Sequence, residues 1–202
     1  MEHRMQAFPC GARFVPPGIA VAVLALLQAA PGHQFVWYDR EAVLRGELWR
    51  LVTGHWLHLD WTHLLYNSLG LTVYWVLWGR ELSRHQFALL WLAGPPLVGL
   101  GLLAFAPEVA IYVGLSGVLH GAFAHAAVLR LRAGGRDGVV LLALLAAKVL
   151  WEQSGGGPLA APASPGSIVV VAAHLYGLVA GAALALGRRP DPASRVSARI
   201  TR

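Results

Sequence analysis

The sequence predicts an all-α membrane protein, a single bundle of six transmembrane helices. Three observations lead there. Of the 202 residues, 56% are hydrophobic and only 13% charged, beyond the usual balance of a soluble domain. Apolar runs recur along almost the whole chain, separated by short polar or Gly/Pro-rich breaks, and one soluble core would leave most of them exposed. The basic residues fall between alternate apolar runs, the distribution expected of a topology signal.

The net charge of +6 does not point to nucleic acid, because the arginines form no patch interleaved with aromatic residues. The single cysteine, Cys10, allows no internal disulfide and no thiolate metal framework. The expected partners are the lipid bilayer and proteins within it, with no cofactor.

Residues 1–13 form a polar lead with Arg4 and Arg13. The apolar run 14–30 is either a retained first span or a cleavable signal, since its basic start and the small residues Ala29-Ala30 before Pro31 fit both. Pro16-Pro17-Gly18 at its opening is compatible with a first helical turn. In 31–60, Trp37, Tyr38, Trp49, Trp56 and Trp61 mix with charged side chains, a composition suited to the headgroup region. A second span is expected over 63–78, and a third over 86–105, kinked or broken at Pro95-Pro96. A fourth runs over 116–130, a fifth over 138–151 and a sixth over 168–186. The Gly/Pro-rich stretch 152–167 reads as a mobile cap. Lys148, inside the fifth span, either snorkels to the interface or pairs with Glu152 one turn on.

With six spans and a cytoplasmic amino terminus, the cytoplasmic pieces hold Arg4, Arg13, Arg80, Arg84, Arg130, Arg132, Arg136 and the arginines of the tail 188–202. The other side keeps Arg40, Arg45 and Arg50. Both termini are therefore expected in the cytoplasm, with Ser116 and the start of the last span at the outer face.

Gly114-Leu115-Ser116-Gly117-Val118-Leu119-His120-Gly121 is where chemistry is expected. A serine hydroxyl becomes a nucleophile only if a base takes its proton and donors receive the charge on the attacked carbonyl. Gly114 and Gly117 allow close backbone approach, and free N–H groups at a helix start supply part of an oxyanion hole. His174 is the candidate base. His174, Gly177 and Gly181 share one helical face, as Gly117 and Gly121 do on the fourth span, so two small faces allow close contact and a dyad without a third member. His55, His58 and His63 are either a metal cluster or divide their roles: His63, with Asn67 at i+4, donates hydrogen bonds to an oxyanion, His58 organises the loop, and His55 is a loop residue that reaches substrate or not. No His-Glu-x-x-His pattern occurs.

Gly-Leu-Ser-Gly at 114–117, His174 followed by Gly177 and Gly181, Trp49-Arg50, and His58 with His63-x-x-x-Asn67 together resemble the rhomboid family of intramembrane serine proteases. The resemblance implies a six-helix rhomboid-like membrane domain over 14–187, Ser116 as nucleophile and His174 as general base and then acid. It also implies an oxyanion hole from His63, Asn67 and the Ser116 amide, Gly114, Leu115 and Gly117 supporting it, and no metal. Trp37-Tyr38-Asp39-Arg40, Gly46-Glu47-Leu48-Trp49-Arg50-Leu51 and the extension to Val118-Leu119-His120-Gly121 resemble the rhombosortase branch. That branch implies a bacterial inner membrane and membrane-anchored substrates ending in Gly-Gly, an apolar helix and a basic tail. His120 departs from the aromatic residue usual in the family; it packs beneath His174 or touches substrate, and His58, Gly177 and Gly181 are the other candidates for substrate or supporting contacts in that scheme. A rhomboid-like protein that binds membrane partners without cleaving them, and a small transporter, are the alternative classes.

Overall fold

The computed structural model describes residues 17–79, 82–158 and 168–187. The lead 1–13, Arg80, most of the expected cap and the basic tail 188–202 lie outside the described residues.

Among the described residues, six longer helices occupy the positions of the apolar runs: α1 (Pro17–Ala29), α4 (Trp61–Tyr74), α5 (Arg84–Phe105), α6 (Ser116–Arg132), α7 (Arg136–Trp151) and α8 (Ala172–Leu186). Between α1 and α4 lie a strand, β1 (Tyr38–Asp39), and two short helices, α2 (Arg40–Leu44) and α3 (Arg50–Thr53). A second strand, β2 (Ile111–Tyr112), precedes α6.

Local chemistry accounts for the boundaries. The Asp60 carboxylate caps α4 by accepting from the His63 N–H at 2.7 Å, the usual work of an acidic N-cap. Ser83 and Gln86 form a capping box at the start of α5. Both α4 and α7 end in a π-helical turn, at Trp75–Gly79 and Glu152–Gly156. The latter includes Gly155 at φ 91°, which a residue with a Cβ enters only with strain.

Of the two alternatives at Pro95-Pro96, a kink or a break, the break is excluded, because α5 passes through both prolines as one helix. The segment 31–60 is not simply an interfacial loop: β1 pairs antiparallel with β2, Tyr38 opposite Tyr112 and Asp39 opposite Ile111. Arg50 ties the segment together, donating to Glu47 at 2.7 Å and to the Trp37 carbonyl at 2.8 Å. Trp49 and Trp61 remain exposed, as headgroup-facing rings would be.

Among the described residues, only α5 and α7 with its π turn are long and apolar enough to cross a membrane by themselves; α1 and α8 are shorter apolar helices. α6 falls outside both groups because it is the centre of the bundle, packed on α4, α5, α7 and α8. Its buried residues include Gly117, Gly121, Ala122, Ala124, Ala126 and Ala127 beside the larger Val118, Leu119, His125 and Val128. A helix surrounded by other helices needs small residues for close approach more than it needs lipid-facing apolar bulk. α1 is docked on this bundle: Leu24 shares a core with Leu64, Leu71, Leu115 and Leu119. The Gln28 side-chain amide also pairs with the His58 backbone, donating to its carbonyl at 3.0 Å and accepting its N–H at 2.9 Å.

Candidate active site

Ser116 opens α6, and its approach is set by the first loop. The Gly114 N–H donates to the Gly54 carbonyl at 3.1 Å, and the buried Tyr112 hydroxyl donates to the Gly114 carbonyl at 2.5 Å. Gly54 has no room for a side chain, because a Cβ there would come within 2.7 Å of the Tyr38 nitrogen. Gly114 adopts φ 129°, and a Cβ there would come within 2.8 Å of His63 Cε1, so the imidazole of His63 lies directly against the backbone two residues before the serine.

α8 brings His174 to the same place. Its Nε2 is 2.9 Å from Ser116 Oγ, and the helix contact that allows this is made by glycines. A Cβ on Gly177 would overlap the Gly117 carbonyl, and one on Gly181 the Gly121 carbonyl. Gly177 and Gly181 are thus spacers between helices, and neither is free to touch a substrate.

The other nitrogen of His174, Nδ1, is 2.8 Å from Glu152 Oε2. The side chain of Glu152 is fully buried, and its Oε1 accepts from Lys148 Nζ at 2.5 Å. The expected pairing of Lys148 with Glu152 is present, but the carboxylate also reaches across to α8. Glu152 therefore belongs to the site and to a π-helical turn that extends α7, where the sequence predicts the start of a mobile cap. A carboxylate one turn beyond a lysine at the end of an apolar helix was the available signal, since ionisable groups at such positions are costly unless partnered.

His120 stacks on His174, ring centroids 4.1 Å apart and planes 15° from parallel. Its Nδ1 is 2.7 Å from the Ser116 carbonyl, and because a carbonyl only accepts, Nδ1 carries the proton. His120, Glu152 and His174 are the cluster of metal-ligating residue types among the described residues. Stacked parallel rings do not aim their lone pairs at one point, and Lys148 already occupies the carboxylate, so the set suits proton transfer better than a cation.

The His63 Nδ1 accepts the Leu59 N–H at 3.4 Å, which leaves the proton on Nε2, the nitrogen nearer Gly114. Asn67 is buried and donates its amide to the His63 carbonyl at 3.1 Å. His58 is fully buried with its ring edge-on to His63, centroids 5.2 Å apart. Burial, reinforced by His63, pushes the His58 pKa down to about 3. His55 is buried against Tyr112, its pKa pushed down by burial to about 4, and not poised at a surface for substrate. No metal-ligating group among the described residues unites His55, His58 and His63. Leu115 is fully buried in a core shared with Leu64 and Leu71 of α4. Tyr112, absent from the sequence-based set, also lies near the Ser116 hydroxyl and the Gly117 amide; burial raises its pKa against their opposing effect.

Comparison with known proteins adds two findings. The family model described as the rhomboid domain matches residues 45–190. A curated relative from Bacillus subtilis (strain 168), "Putative rhomboid protease YdcA", is 36% identical over 109 residues, 50% of this chain and 54% of the relative. The chain thus spans about half the length of that relative.

Proposed function

Since the chain belongs to the rhomboid family, we propose that it is an intramembrane serine protease in which Ser116 is the nucleophile and His174 the general base. The observation that carries this reading is the 2.9 Å contact between Ser116 Oγ and His174 Nε2, within the reach a general base needs. As Oγ attacks a substrate carbonyl, the hydroxyl proton passes to Nε2. The developing oxyanion is received by the backbone N–H of Ser116 at the start of α6 and by His63 Nε2–H, with the Asn67 amide as a further donor. One such donor is worth about a hundred- to a thousandfold in kcat. The His174 imidazolium then protonates the leaving amine, and water, or another nucleophile, releases the acyl-enzyme by the reverse use of the same base.

The substrates in this reading are membrane-anchored proteins. A helix shields its own backbone by hydrogen bonding, so the scissile segment must unwind, which small residues near the cleavage point favour. Entry is from the lipid beside α4 and α7. The Gly-Leu-Ser-Gly-Val-Leu-His-Gly stretch supports the narrower assignment to rhombosortase-type processing of carboxy-terminal Gly-Gly, apolar helix and basic tail. The arginine distribution supports cytoplasmic termini in a bacterial inner membrane, with the site toward the periplasm.

Ser116→Ala and His174→Ala, expressed in membranes at the wild-type level, are expected to abolish cleavage of a transmembrane reporter, and Ser116→Ala to lose fluorophosphonate labelling. Cleavage surviving in either variant would overturn the assignment of the pair. Replacing a Gly-Gly-containing tail with an ordinary anchor should stop processing; continued cleavage would return the protein to a rhomboid protease of broader single-span substrates. Activity is expected to survive strong chelators.

A further inference from the structure

We infer that Glu152 is a positioning residue for the same reaction: held by Lys148, its carboxylate orients His174, so that Ser116, His174 and Glu152 work as a relay of three. This rests on the protease reading above and adds to its mechanism a group on a third helix.

Lys148 and Glu152 are four residues apart, and an ordinary pair at that spacing lies along the surface of its own helix. Here the Glu152 side chain is fully buried, and it spans to α8, 22 residues further along the chain. Both carboxylate oxygens are committed, Oε1 to Lys148 at 2.5 Å and Oε2 to His174 Nδ1 at 2.8 Å. An ionised carboxylate sealed from water persists only when paired and hydrogen-bonded, and Lys148 meets that need without competing for the oxygen that faces the histidine.

The consequence for the imidazole is specific. A carboxylate accepts, so Nδ1 carries the hydrogen and Nε2 presents its lone pair to the Ser116 hydroxyl. His120, stacked on the ring face at 4.1 Å, limits rotation out of this plane. When Oγ bonds to the substrate carbonyl carbon, its proton moves to Nε2 and the resulting imidazolium stands against the Glu152 charge. The same proton leaves with the amine, and the carboxylate remains ionised throughout, as in the established logic of three-membered serine sites.

The test uses the full-length protein in lipid, with Glu152→Gln, Glu152→Asp, Lys148→Met and the paired Lys148→Met/Glu152→Gln variant, which leaves no unpaired charge behind. For each, kcat and KM on a transmembrane reporter and the fluorophosphonate labelling rate are followed from mildly acidic to mildly alkaline pH, beside a thermal unfolding curve. The ionisable groups around His174 in these profiles are His63 on α4, His120 on α6, and Lys148 and Glu152 at the end of α7. Glu152→Gln is expected to lower kcat by up to about 10,000-fold, the drop seen when a triad aspartate becomes an amide. KM should hold, and the acid limb should move to lower pH because the imidazolium has lost its partner. Glu152→Asp should recover part of kcat. If Glu152→Gln misfolds, the paired variant carries the same expectation. Either amide variant, folded, with kcat and pH profile within about threefold of the wild type would overturn the relay and leave Ser116 and His174 as a dyad. If Ser116→Ala is inactive while Glu152→Gln is unaffected, only the relay fails; a wild type that neither labels nor cleaves removes the protease reading as well.

Discussion

His174 Nε2 stands 2.9 Å from Ser116 Oγ because the two helices that carry them touch through their backbones. Gly177 sits under the Gly117 carbonyl and Gly181 under the Gly121 carbonyl, with no space for a Cβ at either. The hydrogen bond at the mouth of the site is therefore a consequence of helix packing several residues deeper.

Gly181→Ala is expected to impair activity without touching a reacting group. The added methyl meets the Gly121 carbonyl and must push α8 from α6; overpacking of this kind costs about 1–3 kcal/mol, more where only backbone can yield. A lower unfolding midpoint together with reduced reporter cleavage would bear this out. Gly18→Ala, where a Cβ meets nothing within 4 Å, should leave both measurements at the wild-type level.

Tyr112→Phe removes the buried hydroxyl that donates to the Gly114 carbonyl. A loss of about 1–3 kcal/mol in stability is expected, along with slower fluorophosphonate labelling, because the turn leading to Ser116 loses its tie to the β1–β2 ladder. Unchanged stability and labelling would show that the turn is held by Gly54 alone.

His120→Phe should retain more activity than His120→Ala. Phenylalanine keeps a ring against the face of His174, while alanine removes the stack, whose worth of about 0.5–1.5 kcal/mol corresponds to roughly two- to tenfold in rate. Equal kcat values for the two variants would separate His120 from the orientation of His174.

The first loop should weaken the fold in acid. Burial takes His58 from 6.5 to about 3 and His55 from 6.5 to about 4, so between those values the unfolded chain binds protons that the folded chain does not. Their contribution is whole above pH 6.5 and is lost progressively as the pH falls toward the folded values. Neither ring nitrogen of His58 has a hydrogen-bond partner among the described residues, so His58→Leu should flatten this acid dependence at little cost near neutrality. Unfolding midpoints measured against pH for the two proteins check it.

Hydropathy and charge alone placed all six longer helices to within a few residues, because each apolar run must find either lipid or another helix. The spacing of small residues singled out Ser116, His174 and the two glycine faces as candidates, since an i, i+4 pattern is visible without coordinates. The expectation of six self-sufficient spans went too far: among the described residues only α5 and α7 with its π turn pass as spans alone, while α6 is packed on four other helices and buries many glycines and alanines among larger residues.

The partners of the site lie beyond any local pattern. Glu152 sits in a stretch whose glycines and proline read as a loop, and its contact with His174 spans 22 residues and two helices. Tyr112 and Gly54 belong to segments far apart in sequence that meet through the β1–β2 ladder and the Gly114 N–H to Gly54 carbonyl bond, and Gln28 meets the His58 backbone 30 residues away. The sequence by itself determined which segments are helical and which residues have chemistry to offer. Only the tertiary structure decided which of them meet, because hydrogen bonds between distant segments depend on how closely the helices pack, and the missing Cβ atoms of Gly117, Gly121, Gly177 and Gly181 set that closeness.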